Sequence, residues 1–128
     1  MATEFEGMRA WRPASEIIEC LDTALGTVDM HNDYDFREVT VSPGKSGLTV
    51  GLRFTKTEGS PAERFTLTFH RVQGLELTSK EAGFSEDRNV FHAIEYAESA
   101  NSGSEFSVET EALTLSFRSN EVQFEAIA

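Results

Sequence analysis

Leu48-Thr49-Val50-Gly51-Leu52-Arg53-Phe54 and Phe65-Thr66-Leu67-Thr68-Phe69 place apolar side chains at alternating positions. Side chains alternate across a strand, so each stretch describes a half-buried antiparallel strand. Placing Phe54 opposite Phe65 also sets Leu52 against Leu67 and Val50 against Phe69, an all-apolar face that favours this register. His70 then falls on the polar side of its strand, across from Thr49. Val72, Leu75 and Leu77 break parity with Phe69, so a bulge or bend is expected between residues 70 and 74.

Upstream, residues 36–41 lead into Ser42-Pro43-Gly44-Lys45. There proline presets the second turn position and glycine accepts the third, a type II or longer hairpin turn. Residues 55–64 read as a polar loop. Downstream, a two-residue turn at Ser119-Asn120 sets Phe117 against Val122, Leu115 against Phe124 and Leu113 against Ala126, predicting a C-terminal hairpin. Residues 85–100 fit a helix, with Val90, Phe91, Ala93, Ile94 and Ala97 on one arc, and also a strand, with Val90, His92, Ile94 and Tyr96 alternating. The surrounding strands favour a strand over about 90–97. Residues 78–89 and 101–104 read as loops.

The N-terminal region reads differently. Pro13 suits a first helical position, Gly26 suits the residue past the end, and Ile17, Ile18, Cys20, Leu21, Ala24 and Leu25 share an arc. A helix over about 13–25 is predicted, anchored by Trp11. The expected fold is therefore α+β, a single domain over residues 1–128. Its N-terminal helix packs on a curved antiparallel sheet of about six to eight strands, drawn mainly from residues 36–128. A β-barrel or sandwich carrying one helix is the alternative.

The formal net charge is −11. Both halves share it: residues 1–64 hold 7 basic and 11 acidic side chains, and residues 65–128 hold 4 and 11. That balance opposes nucleic acid and anionic membranes, where cations supply the affinity. It favours encounter with a basic partner protein, and it also serves plain solubility. The single cysteine, Cys20, excludes an intramolecular disulfide. On the predicted helix it fills space in the apolar arc. With no secretory pattern in residues 1–10 and no long apolar run, a cytoplasmic location is expected.

Three constellations carry side chains suited to chemistry. In an extended segment His31, Asp33 and Asp35 share one side and supply metal-compatible nitrogen and oxygen donors. Alternate side chains stand nearly 7 Å apart on a strand, however, and converge poorly on one ion. The competing reading is a polar approach to a strand, with Asp and Asn forming turns. His31, His70 and His92 form no local motif. The acids Glu95, Glu98, Glu105, Glu109, Glu111, Glu121 and Glu125 read as a solvated sheet face or, for Glu109, Glu111, Glu121 and Glu125, as a docking surface for a basic protein. No phosphate-binding glycine loop, nucleophile elbow or His-Glu-x-x-His motif occurs, and no cofactor is expected.

Phe65-Thr66-Leu67-Thr68-Phe69-His70-Arg71-Val72-Gln73-Gly74-Leu75-Glu76-Leu77, with Asn89-Val90-Phe91-His92-Ala93-Ile94-Glu95 and the expected final hairpin, resembles small uncharacterised bacterial domains, some of them immunity proteins of polymorphic toxin systems. The resemblance implies an α+β domain without cofactor that neutralises a partner by binding, and it transfers no active-site residue. The expected function is a noncatalytic protein-interaction module, such as an immunity-type inhibitor of a basic toxin or nuclease. The alternatives are a small-ligand carrier with a pocket between helix and sheet, and a metal-dependent enzyme. Exposed strand edges also allow a homodimer.

Overall fold

The alternation that ends at Phe69 continues into a strand of 16 residues, Arg64–Ser79. The computed structural model describes residues 3–11, 16–24, 26–56, 63–80, 90–98 and 103–127. Within them the chain forms strands β1 (Glu4–Glu6), β2 (Glu16–Ile18), β3 (Cys20–Thr23), β4 (Gly26–Asp29), β5 (Tyr34–Gly44), β6 (Gly47–Lys56), β7 (Arg64–Ser79), β8 (Phe91–Glu98), β9 (Ser104–Thr110), β10 (Leu113–Ser119) and β11 (Glu121–Ile127). None of the described residues is helical, and no helix among them is long and apolar enough to cross a membrane.

Strand β7 is the hinge of the architecture. Its first half pairs with β6 on one side and β11 on the other, while its second half pairs with β10. A first layer thus runs β5-β6-β7-β11-β1 and a second runs β7-β10-β9-β8-β2, within one curled sheet. The bend comes from two irregularities. The β6 ladder slips between Val50↔Phe69 and Leu48↔Val72, and the β10 ladder slips between Ser116↔Glu76 and Arg118↔Gln73. Each slip leaves unpaired residues on β7 and raises the local twist. Arg71 lies within the first at φ 53, a left-handed geometry costly for a residue with a Cβ. Its guanidinium is held by Asn120 at 2.7 Å and Glu121 at 3.0 Å.

Phenylalanines fill the space between the layers. Phe69 from the first meets Phe106 and Phe117 of the second at 5.0 and 4.9 Å between ring centroids. Phe54 stacks on Phe65 at 4.6 Å and meets Phe91 edge-on at 5.0 Å. Each fully buried ring contributes on the order of 1.5–3 kcal/mol by leaving water. Trp11 packs on Phe5, Tyr96 and Phe106, so it anchors the N-terminal segment as expected, though to a strand assembly. The β3–β4 hairpin adds the buried Leu21, Val28 and Met30.

The structure overturns the α+β class and its N-terminal helix. Residues 16–18, 20–23 and 26–29 are strands; positions 13–15 and 25 of the predicted helix lie outside the described residues. Ile17 is 64% exposed and Ile18 only 5%, whereas a helix sets both on one arc. The misleading feature is the three-residue step between the buried Ile18 and Leu21, produced here by a bend at Glu19. Gly26, at φ +106, opens β4 after a tight turn rather than ending a helix. The expected curvature of the sheet is present.

The C-terminal hairpin is also corrected. β10 and β11 do not pair with each other; both run antiparallel to β7, from Leu113↔Ser79 to Ile127↔Arg64. The Ser119 hydroxyl donates to the His70 carbonyl at 2.7 Å and accepts the Glu121 N–H at 3.3 Å. It therefore carries the chain across a one-residue irregularity. A two-residue turn and a one-residue bulge switch side-chain parity alike, so the apolar rows fit both. Between β5 and β6 the turn is Lys45-Ser46, two residues beyond Pro43-Gly44. The β6–β7 register matches its prediction at Phe54↔Phe65, Leu52↔Leu67 and Val50↔Phe69, as does the strand after residue 90.

Candidate functional site

Parity in the second layer turns Glu95 and Ala97 of β8, Glu105, Ser107 and Glu109 of β9, Ser116 and Arg118 of β10, and Glu76 of β7 to the outer face. The ladders align them in rows. Glu76, Ser116, Ser107 and Glu95 form one row across four strands, and Arg118, Glu105 and Ala97 form the next. At the usual strand spacing Glu76 and Glu95 stand roughly 14 Å apart. In the first row short side chains occupy the middle and glutamates the margins, and an open groove of about 390 Å³ lies over the two rows. Glu76, Glu95 and Glu105 line it, and Arg118 is the one cation among its described lining residues. Gly74 adopts φ +64, and a Cβ there would lie 3.4 Å from the Arg118 guanidinium. At that distance a Cβ would make an ordinary contact, so the positive φ, rather than space, calls for glycine at 74.

The electrostatics of this face are unbalanced. Among the described residues, Glu76, Glu95 and Glu105 form no ion pair, and Glu109 reaches Lys80 at 3.5 Å. Of the four expected docking glutamates, Glu109 alone belongs here. Glu111 lies in the β9–β10 turn, where its carboxylate accepts the Val90 N–H at 3.3 Å. Glu121 is bound to Arg71 at 3.0 Å and stands 3.8 Å from His70. Glu125 projects from the first layer, opposite Thr66. Glu95 and Glu105 belonged to the wider acidic set, whereas Glu76 was missed. Its outward direction is readable from Leu75-Glu76-Leu77, but its neighbours become known only once β7 is paired with β10.

The histidine and aspartate constellation has a structural explanation. Residues 31–33 form a turn, with the Asp33 N–H donating to the Asp29 carbonyl at 3.0 Å. The Asp29 carboxylate accepts the N–H groups of His31 and Asn32 at 3.1 and 3.0 Å and the Asn32 amide at 2.9 Å. Burial pushes the Asp29 carboxyl up, but the Asn32 and His31 hydrogen bonds, with the His31 charge, outweigh it and hold it below its ordinary value. His31 is half-buried with Nδ1 2.8 Å from the Phe91 carbonyl, Asp33 is exposed, and Asp35 is buried in β5 with a carboxylate oxygen 3.7 Å from Arg37. The rings of His31 and His92 lie 6.0 Å apart, whereas His70 is elsewhere, bonded to Gln123 at 3.0 Å. Among the described residues no three His, Cys, Asp or Glu side chains group to hold a metal.

Cys20 is exposed on β3 rather than packed in an apolar arc. Partial burial and the charges of Asp29, Glu19, Asp22 and Asp33 all raise its thiol above the ordinary value. The thiolate is disfavoured and the group is a poor nucleophile. A second concavity, a cleft of about 520 Å³, opens beside β4, with Val28, Tyr34, Phe65 and Phe124 among its apolar walls and the Lys56–Glu63 pair on its lining. No known protein family, curated protein or solved structure matches the chain, so the reading of these surfaces rests on their own residues.

Proposed function

We propose that this chain is a noncatalytic protein-interaction module that captures a basic partner on the outer face of its second layer. The observation that supports this most is the groove in which Glu76, Glu95 and Glu105 outnumber Arg118 and form no ion pair among the described residues. Surface carboxylates left together repel one another, and a cationic partner relieves that repulsion while steering association. The sequence resemblance gives the reading a specific form, neutralisation of a basic toxin or nuclease in the cytoplasm.

The test compares two double variants of equal charge. Glu95→Lys with Glu105→Lys reverses the second-layer face, and Glu38→Lys with Glu125→Lys reverses the first. A basic protein retained by the wild-type chain from its native cell extract is retained by the first-layer variant and loses at least tenfold in affinity for the second-layer variant. Equal loss in both, or loss in neither, contradicts the proposal. A small-ligand carrier is the second reading, favoured by the cleft of about 520 Å³ beside Phe65 and Phe124, a size within the usual range for ligand sites. It predicts that an apolar fluorescent probe bound there is displaced by Phe124→Trp.

A further inference from the structure

The β6 ladder ends at Leu48↔Val72. Past that point residues 73–79 of β7 pair with β10 on one side, and no strand among the described residues pairs on the other. An unpaired edge offers a row of backbone donors and acceptors to an added strand. The other long edge, β5, is blunted: its ladder slips at Arg37, and Pro43 lies near its end. Residues 73–79 carry no proline and no basic residue. On the inner face of this edge Leu77 is 52% exposed and Leu75 half-buried. On its outer face Gly74 and Glu76 line the acidic groove.

We infer that residues 73–79 accept an extended segment of the basic partner as an added strand, in which basic residues at alternate positions face Glu76 and the groove and apolar residues between them pack on Leu75 and Leu77. The inference rests on the functional reading above and specifies its geometry. Side chains of an added strand alternate as those of β7 do, so one face of the guest meets carboxylates and the other meets leucines. A second copy of this chain fits poorly, because edge-to-edge pairing brings two acidic faces side by side.

The probe is an end-capped octapeptide of alternating Arg and Val, compared with a block-ordered isomer of four Arg then four Val, and with two versions N-methylated at alternate residues. The alternating peptide binds at least tenfold tighter than its isomer. One N-methylation pattern costs at least tenfold and the other less than twofold, because only one set of N–H groups faces β7. Amide exchange slows at residues 74–79 on binding. If the isomers bind alike and Glu95→Lys with Glu105→Lys abolishes both, strand addition is overturned while the acidic face stands. If adding Glu76→Lys to that double variant still leaves peptide binding unchanged, the functional reading falls and this inference with it. A dimer in light scattering that protects residues 74–79 without peptide assigns the edge to a second copy and overturns the inference.

Discussion

The two outer faces of the curled sheet handle their carboxylates in opposite ways. On the first layer Glu38 pairs with Arg53 at 2.9 Å and Glu121 with Arg71 at 3.0 Å, while Lys56 and Glu63 meet at 2.7 Å at its end. On the second, Glu76, Glu95 and Glu105 line a groove with one arginine among its described residues. Composition alone assigns the acidity to the whole chain. The difference teaches that the cations are spent unevenly, and that three glutamates without ion pairs line one groove where strands β7 to β10 put two rows in register. Ion pairs hold Glu38, Glu63 and Glu121 on the first face; on the second, geometry brings unpaired glutamates into one groove.

Phe69 ties the faces together, and its loss has the largest expected effect. Phe69→Ala removes a fully buried ring from contact with Phe106 and Phe117 and should lower stability by about 3–5 kcal/mol in urea denaturation. Amide protection falls in β6 and β9 together; a loss confined to one layer would break the picture of a shared core. Gly47→Ala acts on the first layer, since Gly47 has φ +136 and a Cβ would lie 2.7 Å from the Val72 carbonyl oxygen. It should cost about 1–3 kcal/mol in urea denaturation.

Smaller still is the effect of Asp29→Ala in the turn after β4, about 1 kcal/mol for the lost charge-assisted hydrogen bonds. The Asp29 carboxyl is held below its ordinary 3.8 in the folded state, so its contribution is complete above that value and is lost as pH falls through the lowered one. The stability gap between Asp29→Ala and wild type therefore closes on acidification, as pH-dependent denaturation can show. A gap that widens in acid would contradict the assigned hydrogen bonds.

Strand existence and one register were legible because alternation is a local signal: Phe54, Leu52 and Val50 find Phe65, Leu67 and Phe69 across a single connection. Bends were harder. The steps from Phe69 to Val72 to Leu75 and from Ile18 to Leu21 are all three residues. Flanked by clear strands, the first reads as a bulge; beside Pro13 and ahead of Gly26, the second imitates a helix. Ser119-Asn120 misled for a related reason, since a turn and a bulge displace parity equally. The groove was legible only as separate glutamates. Bringing Glu76 into line with Ser116, Ser107 and Glu95 requires β7 to turn from one layer to the other, and no local pattern specifies that partner.

Removing charge without reversing it should separate the two faces by sign. Glu95→Gln relieves repulsion on the second layer, where Glu95 faces Ser107 rather than a cation, and Glu121→Gln breaks the ion pair with Arg71. At low ionic strength, where surface charges are least screened, urea denaturation of the free protein should show Glu95→Gln more stable than wild type by about 0.3–0.5 kcal/mol and Glu121→Gln less stable by about 0.5–1 kcal/mol. Shifts of the same sign would show that the second-layer carboxylates are compensated in the free chain, which would contradict an acidic face held ready for a basic partner.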